Sequence, residues 1–122
     1  MFDNELVSEI LQQVYEATQK ILTRFDPIRS VDDLTNSEAG MEKLDAICMQ
    51  LIAIGESIKN LDRITENELL PNYPTIEWKK IMGLRDIISH HYFDVDAEVI
   101  YDVCKNHINP LAKTIKDMLE TL

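Results

Sequence analysis

The sequence predicts an all-α fold, an antiparallel up-and-down bundle of four to five helices. Apolar residues recur at every third or fourth position over long stretches, as on the buried face of an amphipathic helix. The 122 residues include 3 Gly and 4 Pro, little material for the many turns of a β-fold. No stretch alternates with the period of two that half-buried strands show. We expect one domain, residues 1–122, because a chain of this length supports a single core.

The first predicted helix runs from Asn4 to Phe25, where apolar residues fall on one wide stripe. Asp26-Pro27 ends it, because proline pushes the preceding residue out of the α region. Residues 30–34 are predicted to form a single turn over the end of the bundle.

The second predicted helix begins at a capping box, in which Thr35 and Glu38 satisfy each other's backbone donors, and ends near Asn60. Gly55 lies inside it, where glycine costs about 1 kcal/mol relative to alanine. We therefore expect another element to approach the helix closely at Gly55. The predicted inward residues are Met41, Leu44, Ile47, Cys48, Leu51, Ile54, Ile58 and Leu61.

The third predicted helix is capped by Thr75 and runs to about His91. Its predicted core face is formed by four apolar residues, Ile81, Leu84, Ile87 and Ile88.

The C-terminal part is predicted to be helical as well. Asp94 or Asp96 caps a fourth helix from about Ala97 to Asn106. Asn109-Pro110 either starts a last helix that ends at Leu119 or kinks one long terminal helix.

Charge limits the classes of function. The net charge is −10, from 12 basic and 22 acidic side chains, which argues against non-specific binding of nucleic acid. Residues 75–91 depart from this trend, with a net charge of +1 before their two histidines are counted. No apolar run approaches the roughly 18 residues that cross a bilayer, and the acidic start differs from a secretory signal, so we expect a cytoplasmic protein without a membrane span.

Arg85, His90 and Tyr92 are the candidate chemical residues of the third helix. At 100° per residue, Arg85 and Tyr92 lie about 20° apart and Arg85 and His90 about 140° apart. One protomer joins Arg85 to His90 only if the helix ends or bends near His90, whereas two protomers facing each other across this helix could do so. The mismatch therefore favours a cleft between two copies.

These residue types suit phosphate chemistry. Arginine offers a fixed fork of donors to phosphoryl oxygens, and histidine moves protons near neutral pH. The residues alone leave another interpretation open, in which His90 and His91 offset the helix dipole, Arg85 and Asp86 are solvated charges and Tyr92 is half-buried core.

Three other features leave alternatives open. Trp78 and Tyr73 could stack bases or belong to the core. Cys104 and His107 have the spacing of half a metal site, but no second pair lies nearby, so no metal is expected. Both cysteines, Cys48 and Cys104, are predicted to be free and buried.

Arg85, His90 and Tyr92 match an Arg-x4-His-x-Tyr motif, which identifies the chain as resembling the HepT-like toxin branch of the HEPN superfamily. Three further segments resemble this branch: residues 51–57 its second helix, residues 78–86 its motif helix and residues 92–96 its exit turn. The similarity extends over nearly the whole chain.

The resemblance implies a homodimer whose motif helices line one cleft, and a metal-independent endoribonuclease without a cofactor. In such enzymes the 2′-hydroxyl attacks the adjacent phosphate. By position, His90 would be the general acid or base, and Arg85 the ligand of the phosphate and of the transition state. Asp86 would orient Arg85 or polarise the site. Tyr92 would shape the cleft and accept AMP from a minimal nucleotidyltransferase that acts as antitoxin.

Further cleft residues are expected near this motif. Glu56 either faces the cleft and pairs with Arg85 or is an exposed helix carboxylate. Lys79 and Lys80 either follow RNA phosphates or solubilise the surface. Because of the acidic surface, we expect a short or structured substrate such as tRNA. The alternative function is a non-catalytic, nucleotide-binding or regulatory subunit of the nucleotidyltransferase partner.

Overall fold

A computed structural model describes residues 3–90 and 95–122, and of His90 it describes the backbone alone. Helices make up most of this part of the chain, and it contains no strand, which confirms the all-α prediction. The elements follow in the order α1 (Asn4–Phe25), a 3₁₀ turn (Val31–Leu34), α2 (Glu38–Ile64), a second 3₁₀ turn (Leu70–Asn72), α3 (Trp78–Met82), α4 (Leu84–His90), α5 (Ala97–Asp102), a π-helical segment (Val103–His107) and α6 (Ile108–Thr121).

The long helices form the antiparallel bundle and enclose one apolar core. Helix α1 packs against α2 and α6, while α3 and α4 pack on α2. Removing such side chains from water contributes about 1.5–3 kcal/mol each relative to leaving them exposed. The largest fully buried side chains are Leu11, Ile21, Leu34, Ile47, Leu51, Ile54, Ile58, Leu61, Ile100, Ile108, Ile115 and Met118. None of the described helices is both long enough and apolar enough to cross a membrane.

Helix α1 has the predicted bounds, and Asp3 caps it by accepting hydrogen bonds from the backbone N–H groups of Glu5 and Leu6. The predicted capping box at Thr35 is wrong. Thr35 closes the 3₁₀ turn, and its N–H donates to the carbonyl of Asp32. Ser37 caps α2 instead, because its hydroxyl accepts a hydrogen bond from the N–H of Gly40 at 3.0 Å.

Helix α2 continues beyond Asn60 to Ile64, so its predicted end was too early. The buried hydroxyl of Thr65 donates to the carbonyl of Leu61 at 2.8 Å and closes the last turn. Glu66 and Asn67 then adopt φ values of 54° and 62°, which reverse the chain. Among the predicted inward residues of α2, Met41 is wrong, since it is 52% exposed.

The predicted third helix is divided in two. It starts at Trp78, with Glu77 rather than Thr75 at the N-cap, and Gly83 separates α3 from α4. Glycine is the weakest helix former in this stretch, and it stands at the break.

The core face of the divided helix is narrower than predicted. Leu84 and Ile88, one turn apart, are buried, and Ile81 is half-buried. Ile87 is 47% exposed, so its prediction as a core residue is wrong. It lies one position before Ile88, about 100° around the helix, where α4 no longer faces the core.

Residues 97–121 form one continuous helical run, so of the two alternatives the structure shows one long terminal helix, interrupted by a π-helical segment. Of the two predicted caps, the structure shows Asp96, whose carboxylate accepts from the N–H groups of Glu98 and Val99. In the π-helical segment, the N–H of Ile108 donates to the carbonyl of Val103, five residues back. Pro110 has no N–H and crowds the carbonyl four residues before it, and the wider turn accommodates this.

Candidate functional site

The candidate site lies where α4 begins against the middle of α2. Gly55 of α2 allows this contact, as the sequence predicts. A Cβ atom built on Gly55 would lie 2.8 Å from the carbonyl oxygen of Ile81 and 3.9 Å from the backbone nitrogen of Arg85. Real Cβ atoms essentially never approach a heavy atom within 3.0 Å, so any other residue would push α2 away. The missing side chain brings the backbone of α2 next to the start of α4.

Arg85 and Glu56 form an ion pair across this contact. Oε1 of Glu56 lies 3.3 Å from Nη1 of Arg85, so the structure shows the pairing that one of the two alternatives for Glu56 contained. That Glu56 faces a cleft stays a prediction. The Arg85 side chain is 56% exposed and that of Glu56 is 43% exposed. The carboxylate therefore contacts one nitrogen of the guanidinium, and more than half of the Arg85 side chain is exposed to solvent.

The Oε1 atom of Glu56 differs from the rest of its side chain. It is itself buried, and no donor in the described part of the chain forms a hydrogen bond to it with good geometry. The ion pair with Arg85 thus compensates the buried oxygen by charge, without a well-aligned hydrogen bond.

The other predicted residues of the motif are placed only in part. Asp86 is exposed on α4, and within residues 3–90 and 95–122 no ion pair joins it to Arg85. His90 is the last residue of α4 that the structure describes, and its side chain and all of Tyr92 lie outside the described residues. Their predicted roles, and the meeting of Arg85 with His90, stay predictions.

The two lysines of α3 differ in their surroundings. Nζ of Lys80 lies 2.7 Å from Oε2 of Glu77. This hydrogen bond and the opposite charge raise the pKa of Lys80 and lower the pKa of Glu77. Lys79 is exposed, and none of the ion pairs found in the described chain involves it. Of these two lysines, Lys79 is thus the one without an ion-pair partner among the described residues.

Trp78 belongs to the core, the second of the two alternatives. Its ring is buried, and Nε1 donates a hydrogen bond to the carbonyl of Tyr73 at 3.0 Å. Tyr73 is half-buried and packs against the same core. A buried indole has no free face for stacking on a base.

Both cysteines are free and buried, as predicted. Burial, with a smaller contribution from Asp45, raises the pKa of Cys48 to about 11. Burial, with a smaller contribution from Cys48, raises the pKa of Cys104 to about 12. Nε2 of His107 lies 3.4 Å from Oδ2 of Asp102. Among the described side chains, no three His, Cys, Asp or Glu residues form a group that could hold a metal ion.

An exposed apolar surface adjoins the Arg85–Glu56 pair. Met49, Ile52 and Glu56 follow one another on α2 at spacings of three and four residues, so they share one face of the helix. Met49 is 64% exposed and Ile52 is half-buried. This surface was not among the predicted features. Its signal was present, because Met49 and Ile52 lie outside the inward stripe of α2.

Comparisons with known proteins agree on one family. The family model described as "Ribonuclease HepT-like" matches residues 14–118. The chain is 31% identical over 99 residues to "Putative RNase MJ0127" of Methanocaldococcus jannaschii, which covers 80% of this chain and 78% of the relative. It is 33% identical over 75 residues to "Putative RNase TTE0752" of Caldanaerobacter subterraneus subsp. tengcongensis, covering 62% and 63%.

A third relative carries the family name. The chain is 33% identical over 66 residues to "Probable ribonuclease HepT" of Thermococcus cleftensis, covering 54% of this chain and 56% of the relative. The matched regions therefore span between just over half and about four fifths of the three relatives. No solved structure gives a significant match.

Proposed function

The chain belongs to the HepT-like ribonuclease family, and from this membership we propose that it is an endoribonuclease that needs no metal ion, and the toxin of a toxin–antitoxin pair. The observation that carries the proposal is Arg85, the first residue of the motif, which presents an exposed guanidinium at the start of α4. A guanidinium binds two phosphoryl oxygens at once with parallel hydrogen bonds. The three relatives, each named as a ribonuclease, support the same activity.

The proposed reaction is an internal phosphoryl transfer within RNA. The 2′-oxygen forms a bond to the adjacent phosphorus, its proton passes to a base, and the bond from phosphorus to the 5′-oxygen breaks as that oxygen takes up a proton. The products are a 2′,3′-cyclic phosphate and a 5′-hydroxyl. We assign the proton transfers to His90, and to Arg85 the stabilisation of the charge that develops on the phosphoryl oxygens. Asp86 is proposed to orient Arg85.

The active form is proposed to be a homodimer with both α4 helices at one cleft. The apolar surface of Met49 and Ile52, next to Glu56, supports this arrangement, because exposed apolar surface beside a polar site is typical of interfaces. Met49→Asp places a charge there and should convert the dimer to monomer in analytical ultracentrifugation. Glu42→Asp, on the same helix, keeps its charge and should leave the mass unchanged. If Met49→Asp forms a dimer as tight as that of wild type, this surface is not the dimer interface.

The proposed antitoxin is a minimal nucleotidyltransferase. In its active site the hydroxyl oxygen of Tyr92 would attack the α-phosphorus of ATP, lose its proton to a base and release pyrophosphate. The transferred AMP would add bulk and negative charge to the cleft. The net charge of −10 supports attraction of a basic partner surface, and it disfavours RNA binding away from the exposed Arg85. We propose Lys79, which is also exposed, as a further contact to RNA phosphates. Short or structured RNA, such as tRNA, therefore suits the site best.

Cleavage of RNA in the presence of EDTA tests the proposed activity. Purified protein is incubated with total RNA and with tRNA, beside Arg85→Ala and His90→Ala. We expect wild type alone to cut and to leave cyclic phosphate ends. The contradicting outcome is a wild-type protein that is folded, dimeric and unmodified at Tyr92 but cuts no more RNA than the variants do. The chain would then be assigned the alternative function, a nucleotide-binding or regulatory subunit.

A further inference from the structure

We propose that Glu56 is a positioning residue for Arg85, held within reach by Gly55; this inference rests on the proposed function. Arginine has a long, flexible side chain, and on an exposed surface it samples many rotamers. The structure provides one fixed point for it, because Oε1 of Glu56 lies 3.3 Å from Nη1. The other guanidinium nitrogens stay available to phosphate. This arrangement is expected of a group that orients the guanidinium of Arg85 and leaves its other donors available to bind phosphate.

The contact depends on the backbone of α2 as well as on the carboxylate. At Gly55 the backbone lies so close to Ile81 that a Cβ atom would be 2.8 Å from its carbonyl oxygen. Glu56 is the next residue, so the approach that Gly55 permits brings the carboxylate to the first turn of α4. Gly55 and Glu56 therefore act together. Gly55 permits the short distance between α2 and the start of α4, and Glu56 contacts Arg85 across that distance.

Stability alone does not account for this pair. Both side chains are about half exposed, and exposed ion pairs contribute little to folding. Oε1 of Glu56 is nevertheless buried without a well-formed hydrogen bond in the described chain, which is an unfavourable place for a carboxylate oxygen. The carboxylate also adds negative charge beside a site that would bind phosphate, which opposes binding. The buried oxygen and the added negative charge are both unfavourable. The orientation that the carboxylate imposes on Arg85 explains why it is present despite them.

A positioning role for Glu56 predicts that its removal changes kcat and KM differently. Without Glu56, Arg85 loses its orientation and stabilises the transition state less, while the removal of a negative charge favours binding of RNA. For Glu56→Ala we expect kcat on a short fluorogenic RNA to fall by about tenfold or more, as for displacements of the order of 1 Å, with KM unchanged or lower. Glu56→Gln keeps an oxygen acceptor and should retain an intermediate kcat.

The matched control is Glu42→Ala. Glu42 is an exposed acidic residue on the same helix, about 21 Å from Glu56 along its axis, so it reproduces the change of net charge away from Arg85. Thermal unfolding confirms that each variant is folded. Glu56→Ala with the kcat of wild type, beside an inactive Arg85→Ala, would overturn the positioning role and leave the proposed ribonuclease intact.

A second measurement does not depend on activity. The chain has four arginines, so the Nε–H signals in a nitrogen–proton correlation spectrum are few, and Arg85→Lys identifies that of Arg85. We expect the order parameter of this signal to fall in Glu56→Ala and to stay unchanged in Glu42→Ala. An unchanged order parameter in Glu56→Ala would refute the inference. If wild type cuts no RNA, the proposed function fails, and the positioning role is decided by this spectrum.

Discussion

Gly55→Ala places two known effects in opposition, and the structure predicts which one prevails. In the interior of a helix, alanine is more favourable than glycine by about 1 kcal/mol. If Gly55 merely occupied an open position on α2, this substitution would stabilise the protein. The structure places the carbonyl oxygen of Ile81 2.8 Å from the new Cβ atom, and a backbone oxygen cannot turn aside as the end of a side chain can.

The cost follows from the required displacement. Ordinary contact begins at 3.4 Å, so α2 and the end of α3 must separate by about 0.6 Å. Insertion of one extra carbon into a close-packed contact costs about 1–3 kcal/mol. After the gain in helix propensity is subtracted, we expect the free energy of unfolding to fall by about 1 kcal/mol. The same displacement lengthens the Arg85–Glu56 contact from 3.3 Å, so RNA cleavage should fall as well.

Urea denaturation followed by circular dichroism measures this change, at one protein concentration because association of two copies would contribute to stability. Gly83→Ala is the matched control. A Cβ atom on Gly83 would lie 3.5 Å from its nearest neighbour, and φ is −83°, so alanine fits without strain. We expect Gly83→Ala to be neutral or slightly stabilising. If Gly55→Ala is stabilised by about 1 kcal/mol, the close approach of α2 to Ile81 is refuted.

Two further predictions concern the core. Burial raises the pKa of Cys48 to about 11 and that of Cys104 to about 12, so the neutral thiols stabilise the fold at neutral pH, and this contribution is lost as pH rises from about 9 through those values. The free energy of unfolding should therefore fall over this range, and less steeply in Cys104→Ala; equal slopes would contradict the prediction. Trp78→Phe removes the hydrogen bond to the carbonyl of Tyr73, and we expect a loss of about 1–3 kcal/mol in chemical denaturation followed by circular dichroism. A variant as stable as wild type would show that this bond contributes nothing.

The helices could be predicted well because their signal is local. The bounds of α1 and the buried stripe of α2 follow from periodicity, with Met41 as the exception at the first turns of α2. The caps were harder, because Thr35 and Ser37 both belong to residue types that are favoured at an N-cap. Which of them caps α2 depends on the preceding 3₁₀ turn, whose last hydrogen bond uses the N–H of Thr35.

The divided helix at Gly83 shows a different limit. Its sequence has the spacing of one continuous helix, and Ile87 fits the apolar stripe as well as Ile88 does. The contact with α2 decides that Leu84 and Ile88 face the core and Ile87 faces solvent. Local periodicity identifies a set of apolar residues, but it does not say how wide the partner surface is.

The sequence by itself determined the all-α class, the motif at Arg85 and the family, because periodicity and motif spacing are properties of neighbouring residues. It also indicated that Gly55 meets another element and named Arg85 as one possible partner of Glu56. Only the tertiary structure decided that the close approach at Gly55 and the pairing of Glu56 with Arg85 occur at the same place. In the sequence, Glu56 and Arg85 are separated by the end of α2, a connector and α3. Their 3.3 Å contact exists because the backbone of α2 at Gly55 can approach Ile81, a distance that depends on the packing of two helices.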